Sequence, residues 1–405
     1  MSWKTYKLSE LCNVFADGDW IESKDQSPEG IRLLQTGNIG VGVFKEREDK
    51  ARYVSEETFK RLNCEEVFEG DLLISRLPEP VGRGCLIPSI TSRAITAVDC
   101  TIIRVKSDLV DKRYLEYFIQ SQQYQTEIQS KVTGTTRQRI SRKNLGEISI
   151  VLTSLPVQKQ IVEKLDAAFS DIDKAISATE MNIENAETLF SRILIQSFEE
   201  KIEGSIYKTL QDVSIDFSRG KSKHRPRNDP NLFGGHYPFI QTGNVANSSK
   251  FITHYDKSYN EKGLEQSKLW SKNTVCITIA ANIAECGILN FDACFPDSII
   301  GITVDQKQTS SEYVFYLLSY FKDFIQSKSK GAAQQNINLG TFEKEKFPFP
   351  SSLLVQSELI AELNDVSNQL NRLKSIYSEK LKQLNSLKSS ILNQAFRGEL
   401  TEDAA

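Results

Sequence analysis

An internal duplication with a period of about 200 residues constrains this chain more than any other feature, and it lies far above the repeat lengths of solenoids. Leu34-Gln35-Thr36-Gly37-Asn38-Ile39 recurs as Ile240-Gln241-Thr242-Gly243-Asn244-Val245. Gly70-Asp71-Leu72-Leu73-Ile74-Ser75 returns as Asn273-Thr274-Val275-Cys276-Ile277-Thr278, in both cases the pattern of a buried strand. Gly84 before an apolar pair matches Gly287 before Ile288-Leu289, and Gly134-x-x-x-Gln138-x-Ile140 matches Gly331-x-x-x-Gln335-x-Ile337. Each copy then reaches a long helical pattern, at Gln158-x-x-Ile161 and Gln356-x-x-Leu359. Five matches in one order at a nearly constant offset exclude coincidence.

Each repeat has the same plan. Short apolar runs of β character (70–75, 100–105 and 148–152; then 274–279 and 298–304) and one helix-like stretch (111–131; 311–328) are joined by Gly-, Pro-, Asn- and Ser-rich segments. A helix of about 40 residues follows. In the first, Val162, Leu165, Phe169, Ile172, Ile176, Thr179, Ile183, Ala186, Phe190 and Ile193 step by three and four. In the second, Leu363, Val366, Leu370, Leu373, Tyr377, Lys380, Leu384, Leu387 and Ile391 do the same. That 3.5 periodicity specifies a coiled-coil seam. Pro156 and Pro350 mark the two starts, and Gly398 the final stop. Pairing the two helices within the chain closes the seam at high effective concentration. By the symmetry of duplicated units they would run antiparallel, over roughly 60 Å, with one globular part at each end. The expectation is therefore an α+β (mixed α/β) chain, a pseudo-two-fold tandem repeat. It divides into a first globular domain (1–155), a central coiled-coil helix (156–200), a second globular domain (201–353) and a C-terminal coiled-coil helix (354–405). A zipper or a core bundle is the plain alternative for either helix alone.

Composition excludes several classes. The chain has 405 residues, 39% hydrophobic and 25% charged, which fits more than one folded domain. No run approaches the roughly 18 apolar residues of a membrane span, and Met1-Ser2-Trp3-Lys4-Thr5-Tyr6 lacks a secretory signal, so a cytoplasmic protein is expected. Seven scattered cysteines fit reduced thiols. Only His224, His236 and His254 could join a zinc site, and none has a cysteine at ligand spacing, so no metal is expected. Gly220-Lys221-Ser222 resembles the end of a phosphate-binding loop, but Ile215 stands where its first glycine is needed. There is no dinucleotide fingerprint, no nucleophile elbow, no His-Glu-x-x-His and no Asn/Asp-Pro-Pro-aromatic tetrapeptide of an amino-methyltransferase. No catalytic residues are expected.

The net charge is −3, but it is unevenly spread. Residues 156–200 carry −5 and residues 356–405 carry −1, which leaves +3 for the remainder. That balance permits DNA binding without the strong basic bias of a protein that grips DNA unaided. Arg137, Arg139, Arg142 and Lys143 cluster beside Gln138 and several threonines. The second repeat places Lys328 and Lys330 by Gln334, Gln335 and Asn336. Lys221, Lys223, Arg225 and Arg227 form another cluster, and Arg76 and Arg83 flank a Pro/Gly loop. Arginine and lysine with Gln, Asn and Thr suit both phosphate contact and the reading of base edges. A solvated surface loop is the plain alternative for each. Gln35-Thr36-Gly37-Asn38 and its copy read as a structural turn rather than a contact, and Trp3, Trp20 and Trp270 as core rather than base-stacking platforms.

Leu155-Pro156-x-Gln158-x-x-Ile161-Val162-x-x-Leu165-Asp166, continued by Ile172-Asp173 and Asn182-Ile183-x-Asn185-Ala186, resembles the central helix of the specificity (S) subunits of type I restriction–modification systems. Ile391-Leu392-Asn393-Gln394-Ala395-Phe396-Arg397-Gly398-Glu399-Leu400 is similar to that family's C-terminal ending, and the Gly134 and Gly331 segments to the close of its recognition domains. Ser351-Ser352-Leu353-Leu354 departs from the Leu-Pro start of the first helix. The resemblance implies a non-catalytic subunit whose two target-recognition domains read the halves of a split, asymmetric sequence in double-stranded DNA, with the helices as a ruler. It implies docking of two methylation (M) subunits, which use S-adenosylmethionine to methylate adenine, and of two restriction (R) subunits, motor-nucleases that use ATP and Mg. This chain itself would hold no cofactor. A duplicated-domain transcription regulator and a coiled-coil scaffold without DNA are the rival readings.

Overall fold

The computed structural model describes residues 3–90, 92–280, 282–329 and 339–400. The chain divides into two compact units, Met1–Glu180 with Tyr377–Ala405, and Met181–Ile376. Each contains one end of each of the two long helices, Leu155–Lys201 and Leu353–Phe396.

In the first unit an antiparallel sheet runs in the order Cys12–Asp17, Cys100–Val105, Leu72–Ser75, Gly84–Leu86. All four residues of Leu72–Ser75 are buried, because the strand has a layer on each face. Side chains alternate across a strand. Leu72 and Ile74 accordingly join a core shared with the helices, while Leu73 joins the core of a second sheet. That second sheet contains a parallel pairing, Ile31–Leu34 with Ala94–Thr96. The chain's first strand, Lys4–Lys7, pairs with Ser149–Leu152, the last strand before the central helix.

The second unit repeats this design. Its sheet runs Ser214–Arg219, Ile299–Val304, Val275–Thr278, Cys286–Leu289, Phe251–Ile252. Val275 and Ile277 face the core shared with the helices, and Cys276 the other. A parallel pairing again joins the second sheet, Phe233–Phe239 with Ala293–Cys294, and Ile206–Lys208 pairs with Phe347–Phe349 before the C-terminal helix.

The two helices pair antiparallel inside each unit. In the first, Lys164 Nζ donates to the Leu400 carbonyl and Lys388 Nζ to Asp173, both at 2.8 Å. In the second, Glu187 meets Lys374, Ser197 meets Glu362 and Lys201 meets Glu358, so partner numbers fall as helix numbers rise. The expected seam is buried where globular parts cover it. Leu165, Phe169, Ile172 and Leu363 are in the cores, each burial worth about 2 kcal/mol. Ile176, Ile183, Phe190, Val366, Leu370, Leu384 and Ile391 are half-buried. Leu373 and Leu387 depart from the expectation, at 42% and 47% exposed. They occupy the second column of the C-terminal helix's stripe, and a two-helix pair with no third layer leaves one edge of a broad stripe in water.

The helix ends dock through matching aromatics. Phe396 packs edge-on to Tyr114 and Phe118 at 5.1 and 5.3 Å. Phe198 stacks on Tyr320 at 4.9 Å and lies 5.9 Å from Tyr313. Beyond Phe396, Gly398 turns at φ +81°, and a Cβ there would press on the Trp3 ring at 3.1 Å.

Candidate nucleic-acid interface

In the first unit the segments that could meet a ligand are assembled by two buried arginines. Arg76 follows strand Leu72–Ser75 and is 4% exposed; its guanidinium donates to the carbonyls of Val98 and Ile140 and pairs with Asp17. Arg83, 8% exposed, donates to the carbonyls of Ile39, Leu77, Pro80 and Thr36 at 2.7–3.1 Å. Burial pulls Arg83 below the usual guanidinium range. Leu77, Pro80 and Thr36 also accept from Ser75 Oγ, the Arg83 N–H and the Ile39 N–H, so there the guanidinium adds a second donor, while it supplies the donor for the Ile39 carbonyl. The structure therefore corrects the expectation for Arg76 and Arg83. Neither faces solvent; together they tie the turn at 36–39, the loop at 77–80, the segment at 98–99 and the segment ending at Ile140 to one sheet edge.

The basic segment that Arg76 anchors is exposed. Thr133 and Arg139 exchange two backbone hydrogen bonds of 2.9 Å, which close a loop over Gly134–Gln138. Gly134 adopts φ +96°, where a Cβ would lie 2.4 Å from the Arg137 carbonyl, so the turn demands glycine. Arg137, Gln138 and Arg139 project into solvent. Ser141 then caps the short helix Arg142–Gly146 through a 3.1 Å bond from the Asn144 N–H. Arg142 and Lys143 are exposed in its first turn, with Arg142 Nε 3.9 Å from Asp17.

The repeated Gln-Thr-Gly-Asn motif is a locked turn in both units. The Gln35 N–H donates to Asn38 Oδ1 at 2.9 Å, and the Gln241 N–H to Asn244 Oδ1 at 2.9 Å. In the first unit Arg47 crosses this turn so closely that a Cβ on Gly37 would meet its Nη1 at 1.8 Å. Gln35, Asn38, Arg47, Lys50 and Arg52 line one concavity there. Among the described residues none of these three cations has a carboxylate partner. No basic cluster shows in the sequence here, because Glu46, Glu48 and Asp49 alternate with the three cations along the chain. In the fold the exposed Glu46 and Glu48 turn to the buried Arg32, at 3.8 and 3.0 Å, rather than to Arg47.

In the second unit Lys221, Lys223, Arg225 and Arg227 are all exposed on the loop after strand Ser214–Arg219. Arg225 is turned back onto the carbonyls of Ser222 and His224, and Arg227 grips both oxygens of Asp297 at 2.6 and 2.9 Å. Lys221 and Lys223 meet no carboxylate among the described residues. Lys328 is exposed, pairs with Glu345 at 2.8 Å and covers the Phe324 ring. Lys330, Gln334, Gln335 and Asn336 lie outside the described residues.

The tryptophans divide. Trp270 is buried and Trp3 half-buried, but Trp20 is 70% exposed, against the expectation of a core residue. The seven cysteines are free, and burial pushes the Cys12, Cys85 and Cys100 thiols up to about 12, which leaves them protonated and poor nucleophiles. Among the described residues no His, Cys, Asp and Glu side chains group to hold a metal ion, and no helix is long and apolar enough to cross a membrane.

The two like-built units each carry exposed cations on their connecting segments, 137–143 in one and 221–227 in the other. The type I restriction modification DNA specificity domain matches residues 1–181 and again 206–383. The chain belongs to this family. A putative type I restriction enzyme MjaX specificity subunit of Methanocaldococcus jannaschii is 22% identical, over 98% of this chain and 93% of the relative. The EcoKI specificity subunit of Escherichia coli K12 is also 22% identical, over 75% and 68%. A chain solved in work on complex assembly and conformational transition of the type I R-M system superposes with a TM-score of 0.73 at 17% identity, covering 98% of both chains. The HsdS subunit of Thermoanaerobacter tengcongensis gives 0.52 at 17% identity, over 98% and 97%. As a member of this family the chain is a specificity subunit.

Proposed function

We propose that this specificity subunit reads a bipartite, asymmetric DNA site, one half with each unit, and docks two methylation subunits that transfer the methyl group of S-adenosylmethionine to adenine. Restriction subunits that consume ATP with Mg would add cleavage of unmethylated DNA. The chain's own part is selection. The observation that carries this reading is one scaffold built twice with different exposed chemistry at equivalent strand ends. A shared scaffold gives both units one docking geometry, and unlike loops give each its own half-site. The net charge of −3, without a strong basic bias, fits a subunit whose partners supply much of the phosphate contact.

Genome-wide mapping of methylated adenine with and without the chain tests the assignment. One split motif should lose methylation when the gene is deleted and regain it on complementation. An adenine-methylation pattern that is the same in both strains refutes it.

A further inference from the structure

Gly18 and Gly220 occupy the same place in their units. Each follows the edge strand of the four- or five-stranded sheet, and each N–H donates 2.9 Å to the carbonyl at the start of the neighbouring strand, Cys100 in one and Ile299 in the other. A Cβ on Gly18 would strike the carbonyls of Thr96 and Ala97, and one on Gly220 those of Phe295 and Pro296. The loops that leave these glycines are equivalent in position and opposite in chemistry. After Gly220 come Lys221, Lys223, Arg225 and Arg227; after Gly18 come Asp19, Trp20, Glu22 and Asp25. Two residues beyond the glycine, Ser222 is buried, whereas Trp20 is 70% exposed.

We propose that Trp20 contacts a base in the half-site read by the first unit, while Lys221 and Lys223 of the second unit grip phosphate. This rests on the DNA-reading assignment above. Tryptophan is among the most buried residue types on average, so an indole held in solvent by a fixed loop asks for an occupant. The loop is fixed. The Asp19 N–H donates to the Thr96 carbonyl at 2.8 Å, Asp19 bridges to Ala97, and the indole Nε1 donates to Glu22 at 3.4 Å. Of the loop's acids, Glu22 pairs with Lys24 and Asp25 with Arg61, and burial shifts the Asp19 carboxyl upward and so weakens its charge; Asp17, before the glycine, pairs with Arg76 and Arg142. Asp17 also sets the location, since its carboxylate touches both the arginine that anchors Ile140 and the first residue of the basic helix. Trp20 follows Asp17 by three residues in the chain, and Asp17 lies 3.9 Å from Arg142 at the start of the basic helix. The exposed apolar face of Trp20 suits a base exposed by kinking or a thymine methyl group.

The experiment uses the complex of the full chain with its methylation subunits, on duplexes carrying the mapped site with either half scrambled, across a salt series. Trp20→Ala should weaken binding to the intact site about tenfold, the scale of a lost base–aromatic contact, with an unchanged salt slope. The loss should vanish when the first unit's half-site is scrambled, and Trp20→Phe should recover most of the affinity. Lys221→Ala with Lys223→Ala should instead lower the salt slope by about 2 on every duplex. Wild-type affinity for Trp20→Ala, an equal loss on scrambled DNA, or an altered salt slope overturns the proposal while leaving the DNA-reading assignment intact. A wild-type complex without sequence preference overturns both.

Discussion

The Lys388 ammonium lies 2.8 Å from the Asp173 carboxylate across 215 residues of sequence, and the same ammonium covers the Phe169 ring at 4.8 Å. This contact reports the antiparallel register but does not hold it. Its partners are 32% and 57% exposed, and water screens such pairs. Lys388→Ala should therefore cost no more than about 2 kcal/mol, the ion pair and the cation–π contact together. Leu165→Ala, at a fully buried position in the same unit, should cost about 2–5 kcal/mol. Urea unfolding of the two variants checks this ranking, and the reverse order would mean that charge rather than burial joins the helices.

Gln158 and Gln356 perform the same local task in their units. Gln158 Nε2 donates to the carbonyls of Thr153 and Leu109 at 2.8 and 3.1 Å, and its Oε1 accepts from the Asp111 N–H at 2.9 Å. Gln356 Nε2 donates to the carbonyls of Pro350 and Gln308, and its Oε1 accepts from Thr309. Both side chains are buried, so each long helix starts welded to its globular part. Gln158→Ala strands three polar groups and should cost about 2–4 kcal/mol. Gln158→Glu should cost at least as much, because a carboxylate would face two carbonyl oxygens. Thermal unfolding measures both, and a neutral Gln158→Glu would rule out the assigned donor role.

The two classes of arginine separate in experiment. Arg83→Ala removes a buried guanidinium that donates to four carbonyls and is the sole donor to one of them, Ile39, among the described residues; it should destabilise the first unit by about 2–3 kcal/mol. Arg137→Ala and Arg139→Ala remove exposed side chains and should change stability by less than about 0.5 kcal/mol. They should weaken binding only where the first unit's half-site is intact. Calorimetry alongside binding to half-scrambled duplexes tells the classes apart. Equal destabilisation by Arg83→Ala and Arg137→Ala would contradict the burial described here.

Much of this was legible from residue order alone. The Gln-Thr-Gly-Asn copies, the apolar runs 70–75 and 274–279 and the heptads from Val162 and Leu363 are local patterns, and local patterns determine that a segment is turn, strand or helix. Because all of them occur twice, residue order also determined that the chain builds one design two times. Tertiary structure alone decided which polar and aromatic groups remain for a ligand. Arg83 and Arg137 are the same residue type in similar company, and only the carbonyls that surround one and not the other make it part of the framework. Glu46 and Glu48 cancel the charge of Arg47 on paper, yet in the fold they serve Arg32. Trp20, for which burial is the ordinary expectation, is held out by a glycine-dependent bend whose backbone partners lie more than 70 residues away. Burial and pairing depend on contacts between distant segments, and no short stretch of sequence contains them.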